Sequence, residues 1–288
     1  MCDNDNHQGY IVDTGFSRRS VVLTITSVAA VVGLPTSALA ADVVETDVMV
    51  PTPDGSADAA LFHPAGSGSW PAVLMWPDIL GLRPVFRDMG RRLAGAGYTV
   101  LVPNPFYRVK RAPIVTGPFD FGSKQDMAKL EGLRDALTDA AIDRDAAAFI
   151  AFLDQHKQVN RHKAAGVQGY CFSGPFAFHT GAARSDRIRA VATFHGGGLV
   201  TKEANSPHLL IPKTKASFVV AIARNDDHKQ PDAKDILKAT FAKAKRPATV
   251  EVYPADHGWC VAGSQTYDQA SAERAWAELL RLYRANLV

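Results

Sequence analysis

From about residue 42 onward, short apolar runs alternate with longer stretches in which apolar side chains recur every three or four positions. The runs are Ala72–Trp76, Tyr98–Val102, Ala165–Gly169, Ala190–Phe194, Ser217–Ala221 and Thr249–Tyr253. Continuous apolar segments of this length, bounded by turn residues, predict strands buried on both faces. Between them, helices are predicted over Val85–Ala96, Ser173–Ala183, Asp232–Ala244 and Thr266–Ala285, with one long helical region from about Gln125 to His156. Gly95 and Gly97 supply a helix stop before the second of these strands. Strand–helix alternation of this kind implies an α/β fold, with a mostly parallel central sheet and helices on both faces.

Two further runs precede this pattern, Val43–Val50 and Ala59–His63, separated by the turn signal Thr52-Pro53-Asp54-Gly55. They predict an antiparallel N-terminal hairpin. No internal repeat or low-complexity linker interrupts residues 41–288, which read as a single α/β domain.

Residues 1–40 follow a different pattern. Ser17-Arg18-Arg19 leads into an apolar stretch that ends near Leu34, and Ala38-Leu39-Ala40 follows as a small-residue cleavage signal. The segment resembles a twin-arginine signal peptide, so the expected partner is the twin-arginine export machinery and the expected location is the periplasm, with cleavage after Ala40. An uncleaved anchor is the alternative, although the run is shorter than the roughly 20 apolar residues of a spanning helix.

Composition narrows the classes. Apolar residues make up 47% of the 288-residue chain and charged residues 21%, enough to form a core without metal or disulfide staples. The net charge of +3 arises from 32 basic and 29 acidic residues with no long basic run, which argues against nucleic-acid binding. Of three cysteines, Cys2 falls in the leader, so Cys171 and Cys260 are too few for a disulfide framework.

The chemistry concentrates at Gly169-Tyr170-Cys171-Phe172-Ser173-Gly174, where an apolar strand runs into a helix through small residues. This has the form of a nucleophile elbow, in which small neighbours tolerate a strained turn. Unsatisfied N–H groups and the positive end of the helix favour a thiolate at Cys171, and the Phe172 N–H is the natural oxyanion donor. A buried, inert thiol is the competing reading of Cys171. A thiol nucleophile needs a base and an acid that orients it, in chain order nucleophile, acid, base. His257 follows the strand that ends at Tyr253, and Asp226 or Asp227 follows the strand through Ala221. His195, after its own strand, is a further candidate neighbour.

Together these segments resemble the dienelactone hydrolase family of the α/β-hydrolase superfamily, whose elbow reads G-Y-C-x-G-G. The resemblance implies a carboxylic ester or lactone hydrolase that works through a Cys171–His257–Asp226 triad and an acyl-enzyme, with no cofactor and no metal. It favours Asp226 over Asp227 through the match of Ala223-Arg224-Asn225-Asp226 to the family's acid motif. It assigns Asp78, within Trp76-Pro77-Asp78-Ile79, as the acid controlling the thiol, and the Ile79 N–H as the second oxyanion donor. Arg108, at the end of Asn104-Pro105-Phe106-Tyr107-Arg108, would bind a substrate carboxylate, with Tyr107 and Trp259 beside it. Ser173 replaces a family glycine, Asp78 a glutamate, and Val261 stands where a second arginine is usual. Two rivals use the same residues without hydrolysis: a small-carboxylate-binding protein built on Arg108, and a redox protein cycling Cys171 with Cys260, whose spacing is not C-x-x-C.

Overall fold

The computed structural model describes residues 42–288, so the leader and its cleavage site lie outside the described residues. An eight-stranded sheet carries the fold in the order β1-β2-β4-β3-β5-β6-β7-β8. The strands are β1 (Val43–Thr52), β2 (Gly55–Pro64), β3 (Ala72–Trp76), β4 (Thr99–Pro103), β5 (Ala165–Tyr170), β6 (Ile188–Phe194), β7 (Ser217–Ala223) and β8 (Ala248–Tyr253). β1 and β2 form the antiparallel hairpin, and β2 also runs antiparallel to β4. From β4 across to β8 every pairing is parallel.

The physical basis is visible in β3, β4 and β5, all of whose residues are buried. Strands covered on both faces have no solvent side to mark with polar residues, so they read as unbroken apolar runs. The cover comes from two helical layers. α1 (Pro84–Gly95) and the C-terminal α7 (Gln269–Asn286) are linked by the Arg92–Glu273 ion pair and by Arg92 over the Trp276 ring. α3 (Asp139–Gln155) and α4 (Gly174–Ala183) pack against each other in the other layer. α6 (Ala233–Ala244) adjoins them through the 3-10 turn at Pro207–Lys213.

Two local expectations change. The single helical region from Gln125 to His156 is divided into a short α2 (Lys124–Ala128) and α3, with irregular turns between them. Gly132 takes φ +72° there, outside helical geometry, and Thr138 opens α3 by accepting the Ala141 N–H on its side chain. The segment after β7 is also not an open loop but a six-residue helix, α5 (Arg224–Lys229), polar throughout and therefore without apolar periodicity to betray it. No helix among the described residues is long and apolar enough to cross a membrane.

Candidate active site

The parallel pairings align the C-terminal ends of β3, β5, β6, β7 and β8. Trp76 pairs with Gly169, Tyr170 with Phe194, Phe194 with Ala221, and Ala223 with Tyr253. Whatever each strand carries just past its end is thereby brought to one edge, where open parallel sheets bind ligands.

At the centre is the turn after β5. Cys171 has φ +56°, in the left-handed region that a residue with a side chain occupies at a cost of about 1–2 kcal/mol, and it begins a 3-10 turn (Cys171–Ser173) that leads into α4. The turn is so tight that a Cβ on Gly169 would stand 2.2 Å from the Ser173 carbonyl oxygen. Gly174 is equally confined, with a Cβ there meeting the Gly196 Cα at 2.7 Å. The Ser173 hydroxyl accepts the Tyr170 N–H at 2.9 Å and reaches the carbonyls of Tyr170 and Trp76 at 3.0 and 3.1 Å. Ser173 therefore works as a staple between the turn and the end of β3.

His257, in the loop after β8, points its Nε2 at the Cys171 Sγ from 3.1 Å and its Nδ1 at the Asp226 Oδ2 from 2.6 Å. Its backbone is held on both sides: the His257 N–H donates to Asn225 Oδ1 at 2.8 Å, and Thr266 Oγ1 donates to the His257 carbonyl at 2.6 Å. Burial works against a charge on this ring. The Cys171 sulfur and the Asp226 carboxylate outweigh it, so the imidazole holds its proton well above the usual histidine range. Asp227, the alternative acid, instead pairs with Lys234 at 2.7 Å. Asn225 and Thr266 escaped sequence reasoning, because a backbone-holding amide or hydroxyl has no motif of its own.

Behind His257 lies His195, fully buried at φ +41°, with ring centroids 4.8 Å apart. Its Nε2 faces the Cys260 Sγ at 3.2 Å. Cys171 and Cys260 are both free thiols, each set against its own imidazole. Burial first, and then the nearby Asp78 charge, push the Cys260 thiol well above its ordinary range.

Several expected contacts are turned to other partners. The Asp78 carboxylate is clasped by both Arg83 nitrogens and accepts the Leu80 N–H at 3.0 Å, all in buried surroundings. Arg108 gives its guanidinium to Asp145 at 2.7 and 2.8 Å and to Asp54 at 2.6 Å. The Tyr107 hydroxyl lies between Asp145 and Thr52, at 2.7 Å from each. Trp259 is fully buried, stacked on Tyr253 at 4.6 Å, and so packs in the core. Spacing along the chain hid the commitments of Arg108, since Asp54 is 54 residues from it and Asp145 is 37.

A cavity of about 800 Å³ lies against Phe172 and Gly197. Gly197 donates its N–H to the Cys171 carbonyl at 3.2 Å, which places the cavity beside the turn. Among the described residues no cluster of His, Cys, Asp and Glu has the arrangement of a metal site.

Comparison with known proteins gives a consistent picture. The model of the family described as "Dienelactone hydrolase family" matches residues 57–287. The chain is 28% identical over 214 residues to carboxymethylenebutenolidase 1 of Cupriavidus pinatubonensis, covering 74% of this chain and 86% of that protein. It is 27% identical over 188 residues to the carboxymethylenebutenolidase of Rhodococcus opacus, covering 65% of this chain and 69% of that one. The crystal structure of a dienelactone hydrolase-like promiscuous phosphotriesterase from metagenomic libraries superposes with a TM-score of 0.67 at 20% identity, over 85% of this chain and 99% of the other. That last likeness concerns the fold.

Proposed function

Because the chain belongs to the dienelactone hydrolase family and is a carboxylic ester or lactone hydrolase, we propose that it cleaves its substrate through an acyl-enzyme on Cys171, with His257 as proton carrier and Asp226 as the acid that orients it. The observation that carries this reading is the unbroken run of contacts from Asp226 Oδ2 through both nitrogens of His257 to the Cys171 sulfur.

The contacts support the following order of steps. The Cys171 sulfur, paired with a protonated His257, attacks the ester carbonyl. The Phe172 N–H, at the start of a helical turn where backbone donors lack internal partners, and the Ile79 N–H, just beyond β3, steady the oxyanion. His257 gives its proton to the departing alkoxide. The neutral ring then takes a proton from water as that water attacks the thioester, and expulsion of the thiolate restores the starting pair.

The test is intact-protein mass spectrometry after mixing with an activated aryl ester. A transient acyl mass on Cys171 that decays with product release is expected. Cys171→Ala should lose the adduct and, with its nucleophile gone, turnover of the ester; undiminished turnover by that variant would defeat the proposal.

The proposal extends to residues 1–40, which the Arg18-Arg19 leader marks as a cleaved twin-arginine signal, leaving residues 41–288 as one periplasmic hydrolase domain. N-terminal sequencing of exported protein should start at Ala41.

A further inference from the structure

The cavity beside the elbow has a direction. Phe172, Pro175, Phe176 and His179 are spaced three and four residues apart, and all four line it. They form one face of the helical segment that starts at Cys171, so the cavity runs along that segment for roughly 10 Å at about 1.5 Å per residue. Leu130, Leu137 and Ile142, on the turns before α3 and on α3 itself, also line it. Beside the elbow the helix thus presents an apolar wall of Phe172, Pro175 and Phe176.

The far end is different. His179 is buried there, with its Nδ1 2.9 Å from Asp143 and its Nε2 3.6 Å from Asp139. The remaining charged lining residues are Glu131, Asp135, Asp139 and Glu203 against a single Arg134. Arg108 does not offset this excess, because Asp54 and Asp145 occupy its guanidinium. Asn205 donates to Asp139 at 2.6 Å, tying the loop that carries Glu203 to the start of α3 and keeping both acidic lips at the same mouth.

We propose that this cavity receives the long arm of the ester, apolar next to the scissile bond and uncharged or cationic at its far end, and that it discriminates against an arm ending in a carboxylate. The assignment rests on Cys171 being the nucleophile. An apolar wall favours the body of such an arm by excluding water from it. A remote carboxylate would approach a like-charged rim, a repulsion that discriminates between partners and that salt screens.

The experiment compares the full enzyme on nitrophenyl esters of hexanoate, aminohexanoate and adipate, which share a leaving group and differ in the charge at the end of the arm. At low salt, kcat/KM for the adipate half-ester is expected to be on the order of tenfold below that for the aminohexanoate ester, with a smaller gap at high salt. In Glu131→Lys/Asp135→Lys, two exposed positions, the ratio should move in favour of adipate. Equal or better turnover of adipate by wild type at low salt, or a ratio indifferent to the two lysines, would overturn the proposal. The failure of all three esters to acylate wild type would instead bring down the Cys171 assignment on which it rests.

Discussion

The imidazole of His195 packs against that of His257 with centroids 4.8 Å apart and planes tilted by 60°. His195 is itself fixed by Trp259, edge-on at 6.0 Å, and by its N–H bond to the Ala221 carbonyl at 2.8 Å. The ring that would carry the proton therefore leans on a neighbour that is itself buried and held on two sides. His195→Ala should leave a gap into which His257 can turn away from Cys171, lowering kcat by on the order of tenfold with a smaller change in KM. His195→Phe, which restores a ring, should recover a large part of that loss. Equal kcat in the Ala variant and wild type would show that this packing positions nothing.

The elbow makes separate demands on Gly169 and Ser173. Any side chain at Gly169 collides with backbone, which has nowhere to move, so Gly169→Ala should cost about 2–3 kcal/mol in urea unfolding and disrupt the Cys171 turn. Ser173→Ala leaves the buried Tyr170 N–H without its acceptor, a loss of about 1–3 kcal/mol. Acylation of Cys171 should survive in Ser173→Ala below its lowered melting temperature, because the hydroxyl faces backbone. Loss of acylation in a still-folded Ser173→Ala protein would assign that hydroxyl a part in the chemistry.

Why some of this was legible in the chain and some was not follows from the range of the interactions. The buried strands, such as Ala72–Trp76, announce themselves because burial on both faces is written into consecutive residues. The elbow does too, because its steric demands fall on Gly169, Ser173 and Gly174 within a few positions of Cys171. The partner choices of Arg108 and Tyr107 depend on side chains brought together only by folding, and a family pattern assigns both to substrate; Asp78, which that pattern assigns to control of the thiol, is paired with Arg83 five residues along the chain. α5 stayed hidden since its six polar residues lack a buried face, although the same short helix presents Asp226 to His257 and turns Asp227 to Lys234.

Arg108 offers a test of that distinction. Asp145 is completely buried, and its carboxylate faces the Arg108 guanidinium and the Tyr107 hydroxyl. Burial already raises its carboxyl above the usual range, and the Arg108 hydrogen bonds oppose that rise. Arg108→Ala strands a buried charge and should destabilise the fold by about 3 kcal/mol or more. Discrimination between anionic and neutral esters should change little, as judged from the ratio of their kcat/KM values. A selective loss on anionic esters in a protein of unchanged stability would return Arg108 to the role of a substrate anchor.

Two histidines give stability opposite dependences on pH. His257 holds its proton more tightly folded than unfolded, despite its burial, because Cys171 and Asp226 face it. Its contribution is full below the ordinary value of 6.5 and fades as pH rises through its higher folded value. His156, at the end of α3, behaves in reverse: burial and then the neighbouring His63, with ring centroids 6.0 Å away, disfavour its charged form. Its contribution is present above 6.5 and disappears as pH falls through its lowered folded value. Denaturation midpoints measured across this range should therefore decline less on the acid side in His156→Gln than in wild type. In His257→Gln they should decline less on the alkaline side, while the acid limb stays. If His156→Gln and wild type lose stability in parallel between neutral pH and the His156 titration, the cluster around His63 is not what makes the fold acid-sensitive.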